Sequence, residues 1–135
     1  MISFNYEANF ELDNEQDVSQ WISSTILNEG YNEGEINYIF CDDDYLHELN
    51  VKYLDHDTLT DIISFDYRVG KELHGDIYIS VERVAENAKD FRVEFSEELH
   101  RVIIHGILHY CGYKDKTDDE AKAMRSMENH YLLKR

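Results

Sequence analysis

The sequence has no proline and only two cysteines in 135 residues. Cys41 and Cys111 form no CxxC pair and make no disulfide framework, so the expected compartment is a reducing cytosol. No Gly/Ser linker, internal repeat or low-complexity tract breaks the chain, which predicts one compact domain over residues 1–135 without hinged modules. Basic residues are also scarce: 13 Lys and Arg stand against 29 Asp and Glu, a formal charge of −16. That balance excludes a protein held to nucleic acid or an anionic membrane mainly by its net field, because such binding displaces counterions with Lys and Arg. A local basic groove stays open. No apolar run approaches the ~20 residues of a membrane span, and no basic segment followed by an apolar stretch opens the chain. The expectation is a soluble, cytoplasmic protein with no membrane partner.

What is present suffices for one sizeable core, with 42% hydrophobic residues. Ile2, Phe4 and Tyr6 alternate with polar residues, which predicts a half-buried strand. Val18, Trp21, Ile22, Thr25 and Ile26 then share a helical face, with Asp13 or Asn14 as N-cap and Gly30 as the stop. Ile36, Tyr38 and Phe40 alternate again, and Asp42-Asp43-Asp44 caps a short helix whose expected inner side is Tyr45, Leu46, Leu49 and Tyr53. Residues 61–67 and 75–79 read as strands of a hairpin-like pair around Gly70. Ser80 caps a helix with Val81, Val84, Ala85, Ala88 and Phe91 inward, and Ser96 caps a more apolar one from Leu99 to Cys111. Thr117 to Glu120 is a capping box opening a last helix, with Ala121, Met124, Met127 and Tyr131 inward. The sum is an α+β domain: a mixed sheet of about four strands covered by about five helices.

The chemistry concentrates on the most apolar helix. His105 and His109, four apart, lie one turn above each other and can point at one ion. Gly106 removes a side chain, which allows a backbone or a substrate to approach. A left-handed Gly112 ending the helix would turn the chain so that Asp115 returns toward the histidines. Three ligands with an open fourth position is the arrangement of a hydrolytic metal site on a buried helix. The plain alternative for two histidines at this spacing is ordinary hydrogen bonding, but their apolar neighbours Val102, Ile103, Ile104, Ile107 and Leu108 make unpaired ring nitrogens costly. Glu98 and Arg101 precede His105 on the same side and read either as supporting or substrate-facing groups, or as a solvated first turn. Glycine follows the first histidine where an HExxH peptidase has glutamate, which speaks against peptide hydrolysis.

The run from His105 to Asp115, HGILHYCGYKD, resembles the H-G-x-L-H-x-x-G-Y-D-H signature of the YbeY family of metal-dependent endoribonucleases, the ribosomal RNA maturation factors. Thr60 to Phe65 is similar to that family's T-D-V-L-S-F strand, and Gly75 to Ser80 to its G-D-I-x-I-S strand, with Leu49-Asn50 at the expected distance ahead. The resemblance implies a single-strand-specific endoribonuclease acting on ribosomal RNA or its precursor, notably at the 3′ end of small-subunit RNA. It further implies ribosomal partners and zinc held by His105, His109 and Asp115.

The sequence departs from the family in two places. Asp115 stands where the family has a third histidine; the carboxylate is a legitimate zinc ligand but widens the choice toward other divalent metals such as Mn, Ni or Mg. Leu54 occupies the place of an arginine thought to bind RNA or developing phosphoryl charge, and Arg68, Lys71, Lys52 and His56 are the available substitutes. Leu59 and Asp66 replace prolines usual around the first matched strand. Asp61, Ser64 and Asp76, the polar residues of the matched strands, are the catalytic candidates beside Arg68, with strand-end capping as the alternative for each. A second class of function is a ribosome-assembly module with a mainly structural metal. A weaker third is a metal hydrolase acting on a small molecule or peptide.

Overall fold

The computed structural model describes residues 1–54 and 60–135; His56 and Leu59 lie outside the described residues. Its elements follow in the order β1 (Ile2–Tyr6), α1 (Glu15–Asn28), β2 (Asn32–Cys41), α2 (Asp43–Leu54), β3 (Ile62–Asp66), β4 (Glu72–Ser80), α3 (Val81–Phe91), α4 (Phe95–Tyr110) and α5 (Asp118–Leu132). The sheet order is β1-β2-β4-β3, with β1, β2 and β4 parallel and β3 antiparallel at one edge. This is the mixed sheet of an α+β domain, and β3 and β4 form the expected hairpin, closed by mutual backbone hydrogen bonds of 3.0 Å between Val69 and Glu72.

Alternation along the strands separates two faces of unequal content. Ile36, Tyr38 and Phe40 of β2 and Leu73, Ile77 and Ile79 of β4 point into the main core. There they meet Trp21 and Ile22 of α1, Val84 of α3, Ile103, Ile104 and Leu108 of α4, and Met124 of α5. The opposite face carries a small cluster of Cys41, Leu46 and Ile63 around α2.

Helix α4 is seated by side chains that fix its height and rotation. The Tyr38 hydroxyl donates to the Ile103 carbonyl at 2.8 Å, and the Tyr110 hydroxyl to the Phe65 carbonyl at 2.9 Å. Gly75 makes the second bond possible, because a Cβ there would lie 2.1 Å from the Tyr110 hydroxyl. Gly106 serves the same seating: a Cβ would come within 3.1 and 3.2 Å of Ile77 and Ile62. The groups approaching that glycine are therefore sheet side chains, rather than a backbone or a substrate.

Several expected details shift. Helix α4 begins at Phe95 with Glu94 as N-cap, so Ser96 sits inside the first turn. On α2 the inner side is Leu46, Leu49 and Asn50, while Tyr45 and Tyr53 stand outside, 37% and 57% exposed. Phe91 also faces outward at the end of α3, and Ala121 is exposed. The capping box of α5 forms as expected: the Thr117 hydroxyl accepts from Glu120 N, and the Glu120 carboxylate from Thr117 N.

Candidate metal centre

Helix α4 ends in a hydrogen-bonded turn that returns the chain toward its own side chains. Gly112 N–H donates to the His109 carbonyl at 3.0 Å and Tyr113 N–H to the Leu108 carbonyl at 3.1 Å, with Gly112 at φ 101°. This is the pair of bonds that closes a helix through a left-handed glycine. The Tyr113 hydroxyl then donates to Glu29 at 2.9 Å and Tyr31 to the Cys111 carbonyl at 3.2 Å, pinning the turn to the end of α1 and its continuation. Two residues beyond Tyr113, the Asp115 carboxylate reaches the histidines.

The resulting geometry is a small triangle. His105 Nε2 lies 2.9 Å from His109 Nε2, and one Asp115 oxygen lies 3.3 Å from each. Ligands ~2.1 Å from one tetrahedral ion stand about 3.4 Å apart, so three atoms at these separations fit around a single cation. The tautomers agree with that fit. His105 Nδ1 is 2.6 Å from the Glu128 carboxylate, so its proton is directed there and Nε2 presents a lone pair. Two imidazole nitrogens this close require a proton or a cation between them, and the adjacent carboxylate favours positive charge. The helix is buried, yet the side chains of His105 and His109 are 20% and 32% exposed, and Asp115 is 42% exposed, so the triangle opens to solvent on one side.

Glu128 organises the protein side of the triangle. It is 4% exposed, and its second oxygen accepts from Arg101 at 2.9 Å, while Arg101 also donates to Asn129 at 2.8 Å. Burial pushes the Glu128 carboxyl up, but the His105 and Arg101 hydrogen bonds outweigh it and hold the group below the usual carboxylate range. For His105, burial pulls the imidazole down, while the Glu128 hydrogen bond and charge, with Asp115 and Asp61, leave it raised. Sequence reasoning missed Glu128 because it is charged. The signal was its position between Met124 and Tyr131 on the inner face of α5.

Beside the triangle lies a cleft of about 270 Å³ that includes His105, Asp115, Asp61, Glu98, Arg101 and Phe91 in its walls. Glu98 is 5% exposed, so the first turn of α4 is not simply solvated there. Burial raises the carboxyl of Glu98, with Asp61 adding to the rise; burial likewise raises Asp61, whose carboxylate accepts from Asn87 at 3.4 Å. A larger cleft of about 1100 Å³ around Trp21, between α1 and α5, shares no residue with this one and, among the described residues, has no comparable set of ligand atoms.

The other sequence-selected residues are placed differently. Ser64 opposes Ile77 and faces α4 but does not line the cleft. Asp76 opposes Phe65 on the other face of the sheet, where it accepts from Asn37 at 3.0 Å, so the structure does not bring it to the histidines. A strand's parity decides this, and the side from which α4 would cover the sheet was not readable from the strand itself. Arg68 donates to the Tyr110 carbonyl at 2.9 Å, at the end of α4 that bears His109. Lys52 lies over Tyr53 at 5.3 Å and Lys71 over Tyr31 at 5.9 Å, while Leu54 is exposed at the end of α2.

Among the described residues no helix is long and apolar enough to cross a membrane. A sequence model described as Endoribonuclease YbeY matches residues 2–135. The chain is 68% identical over 132 residues to an endoribonuclease YbeY of Flavobacterium johnsoniae, covering 98% of this chain and 95% of that protein. It is 65% identical to that of Flavobacterium psychrophilum, covering 98% and 94%. A solution structure of a Thermotoga maritima protein superposes with a TM-score of 0.72 at 28% identity, covering 98% of this chain and 87% of the other. The resemblance carried by the histidine helix and the two strand motifs thus extends over nearly every residue, and the chain belongs to the endoribonuclease YbeY family.

Proposed function

We propose that this endoribonuclease hydrolyses single-stranded ribosomal RNA or its precursor, in maturation of the small-subunit 3′ end, with one divalent ion held by His105, His109 and Asp115. The observation that carries the reading is the convergence of three donor atoms at 2.9–3.3 Å on the open side of a buried helix. Zinc suits two imidazoles and a carboxylate, and the carboxylate leaves room for Mn, Ni or Mg. Such an ion supplies Lewis acidity, polarising a phosphate oxygen and acidifying water.

The chain's own groups do the rest. Glu128 holds His105 in the ligating tautomer, and Arg101 neutralises Glu128. Asp61, raised by burial in the same cleft, is the carboxylate suited to take a proton from the attacking water. Arg68, bonded at the His109 end of α4, is the proposed contact to the RNA backbone in place of the arginine that Leu54 displaces, and Arg101 and Arg125 add positive charge in the cleft wall itself. Residues 1–135 act as one unit in the cytoplasm, and the negative field directs the protein to its RNA through the ribosome or ribosomal proteins.

A mainly structural ion in an assembly module is disfavoured because structural sites are closed, whereas this triangle is open on one side. The test is cleavage of a short single-stranded RNA against the same sequence as a duplex. The single strand is cut, the duplex is not, and chelator or His105→Ala abolishes cutting. Cleavage that survives both treatments contradicts the proposal.

A further inference from the structure

The sheet face opposite α4 carries an unusual concentration of outward tyrosines. Tyr45 and Tyr53 leave α2 on its solvent side, and Tyr67 continues the edge strand past β3; the three are 37%, 57% and 57% exposed. They gather around one strand position. The Tyr45 ring stacks on Tyr78 at 6.2 Å, Tyr53 meets Phe65 edge-on at 6.0 Å, and Phe65 meets Tyr78 edge-on at 5.9 Å. Burial, then the charge of Asp76 and the phenols of Tyr45, Tyr67 and Tyr53, raises the Tyr78 phenol, which places all four rings in one neighbourhood. Exposed aromatic surface of this kind is uncommon without a partner.

We propose that Tyr45, Tyr53 and Tyr67 form a stacking platform for bases of the single-stranded RNA whose scissile phosphate lies in the histidine cleft. The inference rests on the function proposed above. Charge points to bases as the occupant: this face carries Asp76 beside Lys52, in a chain of net −16, so it has little with which to hold phosphates. Every base offers a π-face, and stacking needs no cation. Lys52 over Tyr53 adds one positive charge at the platform itself. Continuity with the cleft comes through the edge strand. Asp61, just before β3, lines the cleft, Phe65 belongs to the aromatic group, and Arg68, next to Tyr67, is bonded to the end of α4. A single strand crossing the β3 edge touches both, which a stiff duplex does not; unstacked bases are also what protein aromatics recognise in RNA.

The experiment compares wild type with Tyr53→Ala, Tyr67→Ala and their Phe counterparts on a single-stranded oligonucleotide containing 2-aminopurine. Binding is read by fluorescence in chelator, and cleavage by KM and kcat with ion present. Each Ala variant is expected to weaken binding and raise KM at least about fivefold with little change in kcat, each Phe variant to restore it, and the salt dependence to stay shallow. Unchanged binding in the Ala variants, or equal loss in the Phe variants, overturns the platform while wild-type cleavage leaves the nuclease reading intact. Variants that cut free RNA normally but fail on ribosomal particles show a protein-docking face and also overturn it. Wild type that neither binds nor cuts the strand defeats both proposals.

Discussion

The two faces of the sheet are built to different standards. Under α4 the contacts are dry and complementary: Ile103, Ile104 and Leu108 are fully buried, and glycines 75 and 106 are shaped around their neighbours. Around α2 the core is small, and tyrosines that helical spacing assigns to the inside stand in solvent. The tightly packed side is the one on which three donor atoms converge at 2.9–3.3 Å. The face proposed to take a flexible strand is the open one.

Removing a ligand should break this division most severely. His109→Ala is expected to lower ion affinity at least about a hundredfold with the fold retained, as read by competition with a chelating dye and by circular dichroism. Next comes the core behind the ligands. Ile103→Ala should cost about 2–5 kcal/mol in denaturant unfolding. Tyr67→Ala on the open face should stay within ~0.5 kcal/mol, and similar losses at both positions would erase the contrast. Glu128→Gln keeps the shape but removes the charge bonded to His105, so ion affinity should fall about 10–100-fold, and Glu128→Asp should recover part of it.

The smallest effect concerns pH. A proton on His105 competes with the ion, and Glu128 raises the affinity for that proton. Ion affinity should therefore begin to fall, on acidification, at a higher pH than the ~6.5 of an unpaired imidazole, and Glu128→Gln should move that onset to lower pH. Ion titrations across pH 5–8 check the sign; an onset unmoved by Glu128→Gln separates the two groups.

Much of the architecture was legible because periodicity and capping acted together. Val18, Trp21, Ile22, Thr25 and Ile26 are all buried on α1, and Thr117 with Glu120 opens α5 as the local pattern demands. The turn at Gly112 was equally local, and it is what carries Asp115 back to the histidines. Long-range facts were less visible. Helical spacing places Tyr45 and Tyr53 on the flank of α2 nearest its apolar side, but the small sheet area beneath α2 admits only Leu46, Leu49 and Asn50. Glu128 required knowing that α5 lies along the middle of the histidine helix, and Asp76 required knowing which face of β4 that helix covers.

Under the proposed function, cleavage depends on one ion held by the His105, His109 and Asp115 triangle. Adding zinc stepwise to chelator-stripped protein, while measuring bound metal and cutting of single-stranded RNA in the same samples, tests it directly. Cutting should rise with occupancy and saturate at about one ion per chain, with neither bound metal nor cutting in His109→Ala. Full cutting by metal-free protein, or by His109→Ala, would contradict it.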